Sequence, residues 1–279
     1  ALGDTATAKT AFEYLEKVQV TSKTPGNNGD TGWFLQKTHV DGELEWVGVQ
    51  LDQTAMPIML AWKLHQANVL SDNELKDWYA RMLKPAADFL VNGGRAKILW
   101  NDMQITPPAT QQERWEEQSG YSPSTTAAVV AGLITASDIA TLSGDTQNAD
   151  RYLATAKKYN SNIESHMFTT EGNLKGDSTD GEYFIRIGQD TDANSNTKIN
   201  ANNGREGFNK KQILDGGFLE LVRYGVRSAN DSSIIKTLPE YDDETLEDNL
   251  QVKYSFNFID GSGTFAGYRR YGNDGYGED

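Results

Sequence analysis

Arg114-Trp115-Glu116-Glu117, followed at once by Gln118-Ser119-Gly120-Tyr121-Ser122-Pro123-Ser124-Thr125, is the stretch of this chain whose residue types could do chemistry. Two adjacent carboxylates behind a tryptophan, at a turn that opens a helix, suit work on sugars. Inverting cleavage of a glycosidic bond needs one carboxylic acid held neutral to protonate the departing oxygen, and one carboxylate on the far side to activate water. Neighbours on a chain cannot flank a sugar ring, so Glu116 and Glu117 cannot be that pair. They can divide a different labour. A second negative charge and packing against an indole both push a carboxyl pKa upward. One Glu would then donate the proton and the other accept hydrogen bonds from sugar hydroxyls. The competing reading is a solvated acidic turn at the positive end of a helix dipole.

Two further segments carry candidates. In Glu45-Trp46-Val47-Gly48-Val49-Gln50-Leu51-Asp52, an aromatic face at Trp46 suits the apolar face of a pyranose. Loop packing for Trp46 and helix N-capping for Asp52 are the alternatives. In Arg269-Arg270-Tyr271, followed by Asp274 and Tyr276, the Arg270 guanidinium fork matches two sugar hydroxyls. Its alternative is a surface ion pair, worth little energetically. Trp115 has two open roles, burial against the acid and direct sugar contact.

At these residues the chain resembles glycoside hydrolase family 15, in the bacterial branch of glucoamylases and glucodextranases. The Trp-Glu-Glu motif, the Trp-x-Gly-x-Gln-x-Asp segment and the Arg-Tyr loop occur in the family's order, and Asp215-Gly216-Gly217-Phe218-Leu219-Glu220-Leu221 is also characteristic of bacterial members, read here as a packing helix. The resemblance implies Glu116 as general acid and Glu117 as a substrate ligand in the aglycone subsite. It further implies Trp46 lining the sugar cleft, Asp52 supporting it, and Arg270 bonded to the bound glucosyl unit. The implied activity is inverting, exo-acting release of glucose from nonreducing ends of α-glucans, with no cofactor. α-1,6-Specific glucodextranase or isomaltose hydrolysis, and trehalose hydrolysis, are alternatives inside the family. A noncatalytic carbohydrate-binding fragment is the alternative outside it. The implied fold is an all-α (α/α)6 barrel of the six-hairpin glycosidase type. The implied location is secreted or periplasmic.

The family's upstream Trp-Arg-Asp segment has no counterpart here, and its catalytic base lies well beyond the Arg-Tyr loop; Glu278 is too close to that loop for the role. Residues 1–279 therefore read as the central segment of one catalytic domain, around the middle half of such a barrel, holding the acid and not the base. Half a barrel exposes the apolar flanks of its end helices, so a companion chain or flanking sequence is expected.

Composition agrees. With 37% hydrophobic and 10% aromatic residues the chain is globular despite a mean hydropathy of −0.61. A formal net charge of −14 and a pI near 4.7 exclude a basic face for nucleic acid. There is no cysteine, hence no disulfide framework and no thiol chemistry. No stretch reads as long enough to span a membrane, and the N-terminus shows no signal pattern. His39, His65 and His166 share no metal-ligand spacing. Asp190-Thr191-Asp192-Ala193-Asn194-Ser195-Asn196 starts like a calcium loop but has Ser195 and Ala201 where Gly and a bidentate Glu are needed; a solvated loop is expected.

Helical periodicity predicts helices over 5–20, 54–70, 71–91, from 122 to the stop at Ser143-Gly144, from 145 onward, 210–226 and 232–238. Ser71 with Glu74 makes a capping box, and Pro85 should bend the third helix. Pro123 sits at a first helical position. Long loops over 26–50, 92–121 and 167–209 would crowd one rim, with Tyr183-Phe184-Ile185-Arg186-Ile187 as a short strand.

Overall fold

The structure, a computed structural model, describes residues 3–201 and 205–274. Tyr276 and Glu278 lie outside the described residues. The chain divides into two compact units, one formed from Ala1–Gln112 and Thr125–Asn160, the other from Glu113–Ser124 and Ser161–Asp279.

In the first unit α1 (Thr5–Val18) starts where Asp4 accepts from the Thr7 N–H at 3.0 Å. It stops short of Val20 because Val20 turns extended and donates to the Trp33 carbonyl at 2.8 Å. A small antiparallel pair, β1 (Lys37–Thr38) and β2 (Leu44–Trp46), precedes α2 (Leu51–Gln66). That helix begins three residues before the expected start, behind an extended Gln50. Asp52 therefore lies inside its first turn and is not its cap. It ends at Asn68, whose φ of 57° is a left-handed value that Asn tolerates.

The expected helix over 71–91 is three pieces: α3 (Asp72–Trp78), a π turn at Tyr79–Leu83, and α4 (Lys84–Asn92). The capping box at Ser71 and Glu74 is present. Pro85 has no N–H to donate and its ring crowds the preceding turn, and the widened π turn sits where that bond would fall. A regular hairpin of β3 (Gly94–Ile98) and β4 (Asn101–Ile105) follows. Then come α5 (Pro123–Leu142), of which residues from 125 on belong to this unit, and α6 (Thr146–Asn160), where Asp145 caps through the Asn148 N–H.

The reading that no stretch reaches membrane-spanning length is corrected by α5. It has 20 residues and is long and apolar enough by length and composition, and 67% of its apolar window is buried inside the protein. A helix apolar on all sides is what a central core position requires. Gly132 lets it approach α2: a Cβ there would stand 2.8 Å from the Ala55 Cβ.

In the second unit α7 (Ile163–Met167) leads into β5 (Phe168–Thr169), which pairs with β6 (Tyr183–Phe184). The expected strand to Ile187 pairs as β6 only at its start. It continues extended as the Ile185 N–H donates to the Met167 carbonyl and the Arg186 N–H to the Ile213 carbonyl, both at 2.9 Å. Next are β7 (Lys198–Ala201) and β8 (Arg205–Asn209), antiparallel.

The predicted helix over 210–226 is replaced by a 3-10 turn at Lys210–Gln212, an extended step, a second 3-10 turn at Gly216–Phe218, and a short α8 (Leu219–Arg223). The reason is local. Asp215 is extended, bridges to Tyr271, and accepts from the Gly217 N–H at 2.9 Å, while two glycines in succession weaken any helix through them. The unit closes with α9 (Ser232–Tyr241), capped by Asp231, and the hairpin of β9 (Lys253–Asn257) and β10 (Thr264–Tyr268). Five two-stranded antiparallel pairs thus lie among the helices of the described residues.

Gly132→Val should destabilise the protein. Overpacking at a closed helix crossing costs about 1–3 kcal/mol and outweighs the roughly 0.5 kcal/mol that Val gains over Gly in helix propensity. Denaturant unfolding checks this, and unchanged stability would show that the crossing is not tight at Gly132.

Candidate active site

The Trp-Glu-Glu stretch is a closed turn in the second unit. The Glu113 N–H donates to the Gln118 carbonyl at 3.1 Å, and the Glu116 N–H to the Glu113 carbonyl at 2.8 Å. Glu116 takes a φ of 65°, unusual for a residue with a Cβ and held only where the surroundings dictate it. The turn is moored behind by Tyr121, which bridges Gly188 in both directions at 2.7 and 3.1 Å. Gly120 permits the approach, since a Cβ there would stand 2.3 Å from the Gly188 carbonyl oxygen.

The side chains of this turn separate sharply. Glu116 is exposed. The Glu117 carboxyl is only 2% exposed, and both its oxygens accept from protein donors. Oε1 receives Arg270 Nη1 at 3.1 Å; Oε2 receives the Tyr271 hydroxyl at 2.5 Å and Arg186 Nη2 at 3.3 Å. Glu113, fully buried, receives the same Arg186 nitrogen on Oε1 at 2.6 Å. Burial pushes the Glu113 carboxyl up to about 7, and the Asp215 charge adds to this against the pull of Arg186. Burial also raises Asp215, against the pull of Arg114 and Arg186 and the hydrogen bond from Trp115.

Arg270 is no loose surface ion pair. It forks onto Asp274 through Nε and Nη2, both at 2.7 Å, and reaches Glu117 with its third nitrogen. These bonds to Asp274 raise its pKa further. Trp115 is anchored at one end and faces a cavity with its ring. Its Nε1 donates to Asp215 Oδ2 at 2.9 Å, and its ring helps line a cavity of about 360 Å³ with Arg114, Tyr241, Tyr268, Glu220 and Arg270. That volume lies within the usual range for small-molecule sites, roughly 300–1,000 Å³. Glu116 directly follows Trp115 in the chain but is not among the lining residues.

The second unit thus brings Glu116, Glu117, Trp115 and Arg270 together. Trp46 and Asp52 belong to the first unit. There Trp46 is 42% exposed, its ring centroid 4.6 Å from that of Trp100, itself 52% exposed, and its Nε1 donates to Gln112 Oε1 at 3.0 Å. Gly48 makes room for that glutamine, because a Cβ would fall 1.9 Å from its Oε1. Asn101 Nδ2 holds the segment from below by donating to the Val47 carbonyl at 2.7 Å. Asp52 is half-buried in the first turn of α2.

Sequence reading passed over Glu113, Arg186 and the anchoring part played by Asp215. Arg186 had a signal: a cation between Ile185 and Ile187 in an otherwise apolar extended run has to be buried with a partner.

The calcium-like loop is largely open to solvent and is tied down by two lysines. Its Asp190 accepts from Ser195, Thr197 and, at 2.7 Å, the fully buried Lys210 ammonium. Lys211 Nζ donates to the Asn194 carbonyl at 2.9 Å. Desolvation works against ionisation of Asp190, but these donors, Lys210 first, hold its carboxyl well below the usual range.

The family model of glycosyl hydrolases family 15 matches residues 4–279, and the chain belongs to that family. It is 34% identical over 278 residues to a glucoamylase of Clostridium sp. (strain G0005), covering 100% of this chain and 33% of the relative. A crystal structure of a bacterial glucoamylase complexed with acarbose is similar at a TM-score of 0.77 and 34% identity, over 98% of this chain and 34% of that one. The chain spans about a third of the length of both. Its helix-rich fold matches the (α/α)6 barrel fold of the glucoamylases, as the resemblance implied.

Glu113→Gln should alter the pH dependence of stability. A carboxyl raised on folding contributes stability fully below its unfolded value, near 4.5, and loses it as pH rises through the folded value, about 7. Glutamine keeps the acceptor for Arg186 without ionising. The variant should match the parent at pH 4 and gain on it by up to roughly 3 kcal/mol at pH 8, measured by denaturant unfolding at both pH values; a constant difference would show that Glu113 does not titrate in this range.

Proposed function

We propose that this chain carries the proton-donor part of an inverting, exo-acting α-glucoside hydrolase of the glucoamylase kind, which releases glucose from the nonreducing ends of α-glucans. The observation that supports this best is the division between two neighbouring carboxylates. Glu117 is buried and fully engaged, while Glu116 stands exposed on a turn held by buried ion pairs. A general acid has to reach a bound glycosidic oxygen and to be held in one direction; the exposure of Glu116 and the closed turn that carries it support that reading. The glucoamylase relative and the acarbose-bound neighbour support the substrate class.

In this reading Glu116 protonates the leaving oxygen as the bond to the anomeric carbon breaks. Water, deprotonated by a carboxylate from outside this chain, attacks the opposite face, with about 6.5–9.5 Å between the two carboxyls. Arg270, held by Asp274 and Glu117, presents its guanidinium to sugar hydroxyls, and Glu117 acts on the aglycone side through that arginine. Trp115 and Trp46 offer aromatic faces, and Asp52 supports the Trp46 segment. Residues 1–279 would be the central segment of one catalytic domain, completed by flanking sequence or a companion chain. The protein would be secreted or periplasmic, where α-glucans from outside the cell are met.

Glu116→Gln in the full-length protein should bind an α-linked glucan with near-parental affinity and lose at least about 1,000-fold in kcat, within the range for removal of a general acid. Proton NMR of the parent reaction should show the β-anomer of glucose first. Full activity in the variant, or α-glucose as the first product, would reject the proposal.

A further inference from the structure

Arg186 takes no direct part in bond cleavage, yet it joins the carboxylates on both sides of Glu116. It sits between Ile185 and Ile187, all three buried, with its backbone N–H tied to the Ile213 carbonyl at 2.9 Å. Its guanidinium is completely buried and stacked on Tyr271, Cζ standing 3.6 Å from the ring centroid. One nitrogen, Nη2, serves two carboxylates: Glu113 at 2.6 Å and Glu117 at 3.3 Å. Tyr271 in turn donates its hydroxyl to the same Glu117 oxygen. Nε and Nη1 of Arg186 have no acceptor among the described residues. A buried cation with unsatisfied donors is a poor investment in stability, because its desolvation is only partly offset. What it does accomplish is geometric. Glu113 and Glu117 lie on either side of Glu116 in the turn, and both are gripped from beneath by one rigid, planar group.

We propose that Arg186 is a positioning residue for proton donation: by gripping Glu113 and Glu117 it sets the direction in which the Glu116 carboxyl leaves the turn. The inference rests on the reading of Glu116 as the general acid. Being fully buried, Arg186 touches no sugar. Its loss should damage the step that needs a directed proton and spare steps that do not.

Two substrates separate these steps. A maltose-type α-glucoside needs its leaving oxygen protonated. In α-glucosyl fluoride the carbon–fluorine bond breaks with its electron pair leaving on fluoride, water supplies the new hydroxyl, and no proton need be delivered. In the full-length protein, Arg186→Met should lower kcat on the glucoside by roughly 100-fold, the scale of a misdirected catalytic group. It should leave KM within about threefold and the fluoride rate within about fivefold of the parent. Arg186→Lys, which keeps a charge but not the planar fork, should show the same bias at smaller size. Equal losses on both substrates, or no loss, would overturn the proposal. If the Met variant does not fold, the Lys variant decides by the same ratio. Glu116→Gln serves as the reference: parental activity on the glucoside would sink the acid reading and this inference with it. A selective loss there, alongside equal losses in the Arg186 variants, would overturn the positioning role alone.

Discussion

A guanidinium taken wholly out of water has to be met by negative charge, and in the second unit that demand organises the turn around Glu116. Arg186 is met by Glu113 and Glu117, Glu117 also holds Arg270, and Arg270 is completed by Asp274. Removing the buried cation from such a set costs about 3–5 kcal/mol, because the carboxylate it meets is left uncompensated. Glu116 is the carboxylate of the turn that the set leaves facing outward. It also carries the positive φ of the turn that closes over 113–118. The exposure of Glu116 and the burial of Glu117 are two outcomes of one constraint.

Glu113 adds a second consequence. Five carboxylates, at Glu113, Glu117, Asp215, Glu220 and Asp274, stand among four guanidiniums, at Arg114, Arg186, Arg223 and Arg270. With all five ionised the cluster carries an excess negative charge. A proton retained on Glu113 near neutrality relieves it, in keeping with the upward displacement of that carboxyl. In the first unit the Trp46 segment is held through Gln112, Asn101 and the missing Cβ of Gly48, with the neighbouring Glu45 paired to Lys37 at the surface.

Much of this was legible in the residues. Helices with strong periodicity and clear end signals appear where expected, including the Ser71–Glu74 capping box and the Pro123 start. The prediction over 210–226 failed because apolar spacing at Ile213, Leu214 and Phe218 fits an extended, buried segment as well as a helix, and periodicity cannot see that Asp215 is bonded to its own backbone two residues on. Pairings that bring Arg186 to Glu113, 73 residues apart in the chain, are likewise invisible in one sequence. Only the cost of a cation in an apolar run hints at them. Glu116, Glu117 and Arg270 stand out in the sequence through the order of their motifs; the burial of Glu117 and the exposure of Glu116 required the structure.

In the proposed reading, a turn anchored on Arg186 brings the Glu116 carboxyl to a glycosidic oxygen. The most direct measurement is a crystal structure of the full-length protein carrying Glu116→Gln, with an uncleaved α-glucoside bound. The account predicts the substituted side chain within about 3 Å of the linkage oxygen, with Arg186 still gripping both neighbouring carboxylates. A linkage oxygen bound well beyond hydrogen-bonding reach of that position, or met by a different acid, would contradict it.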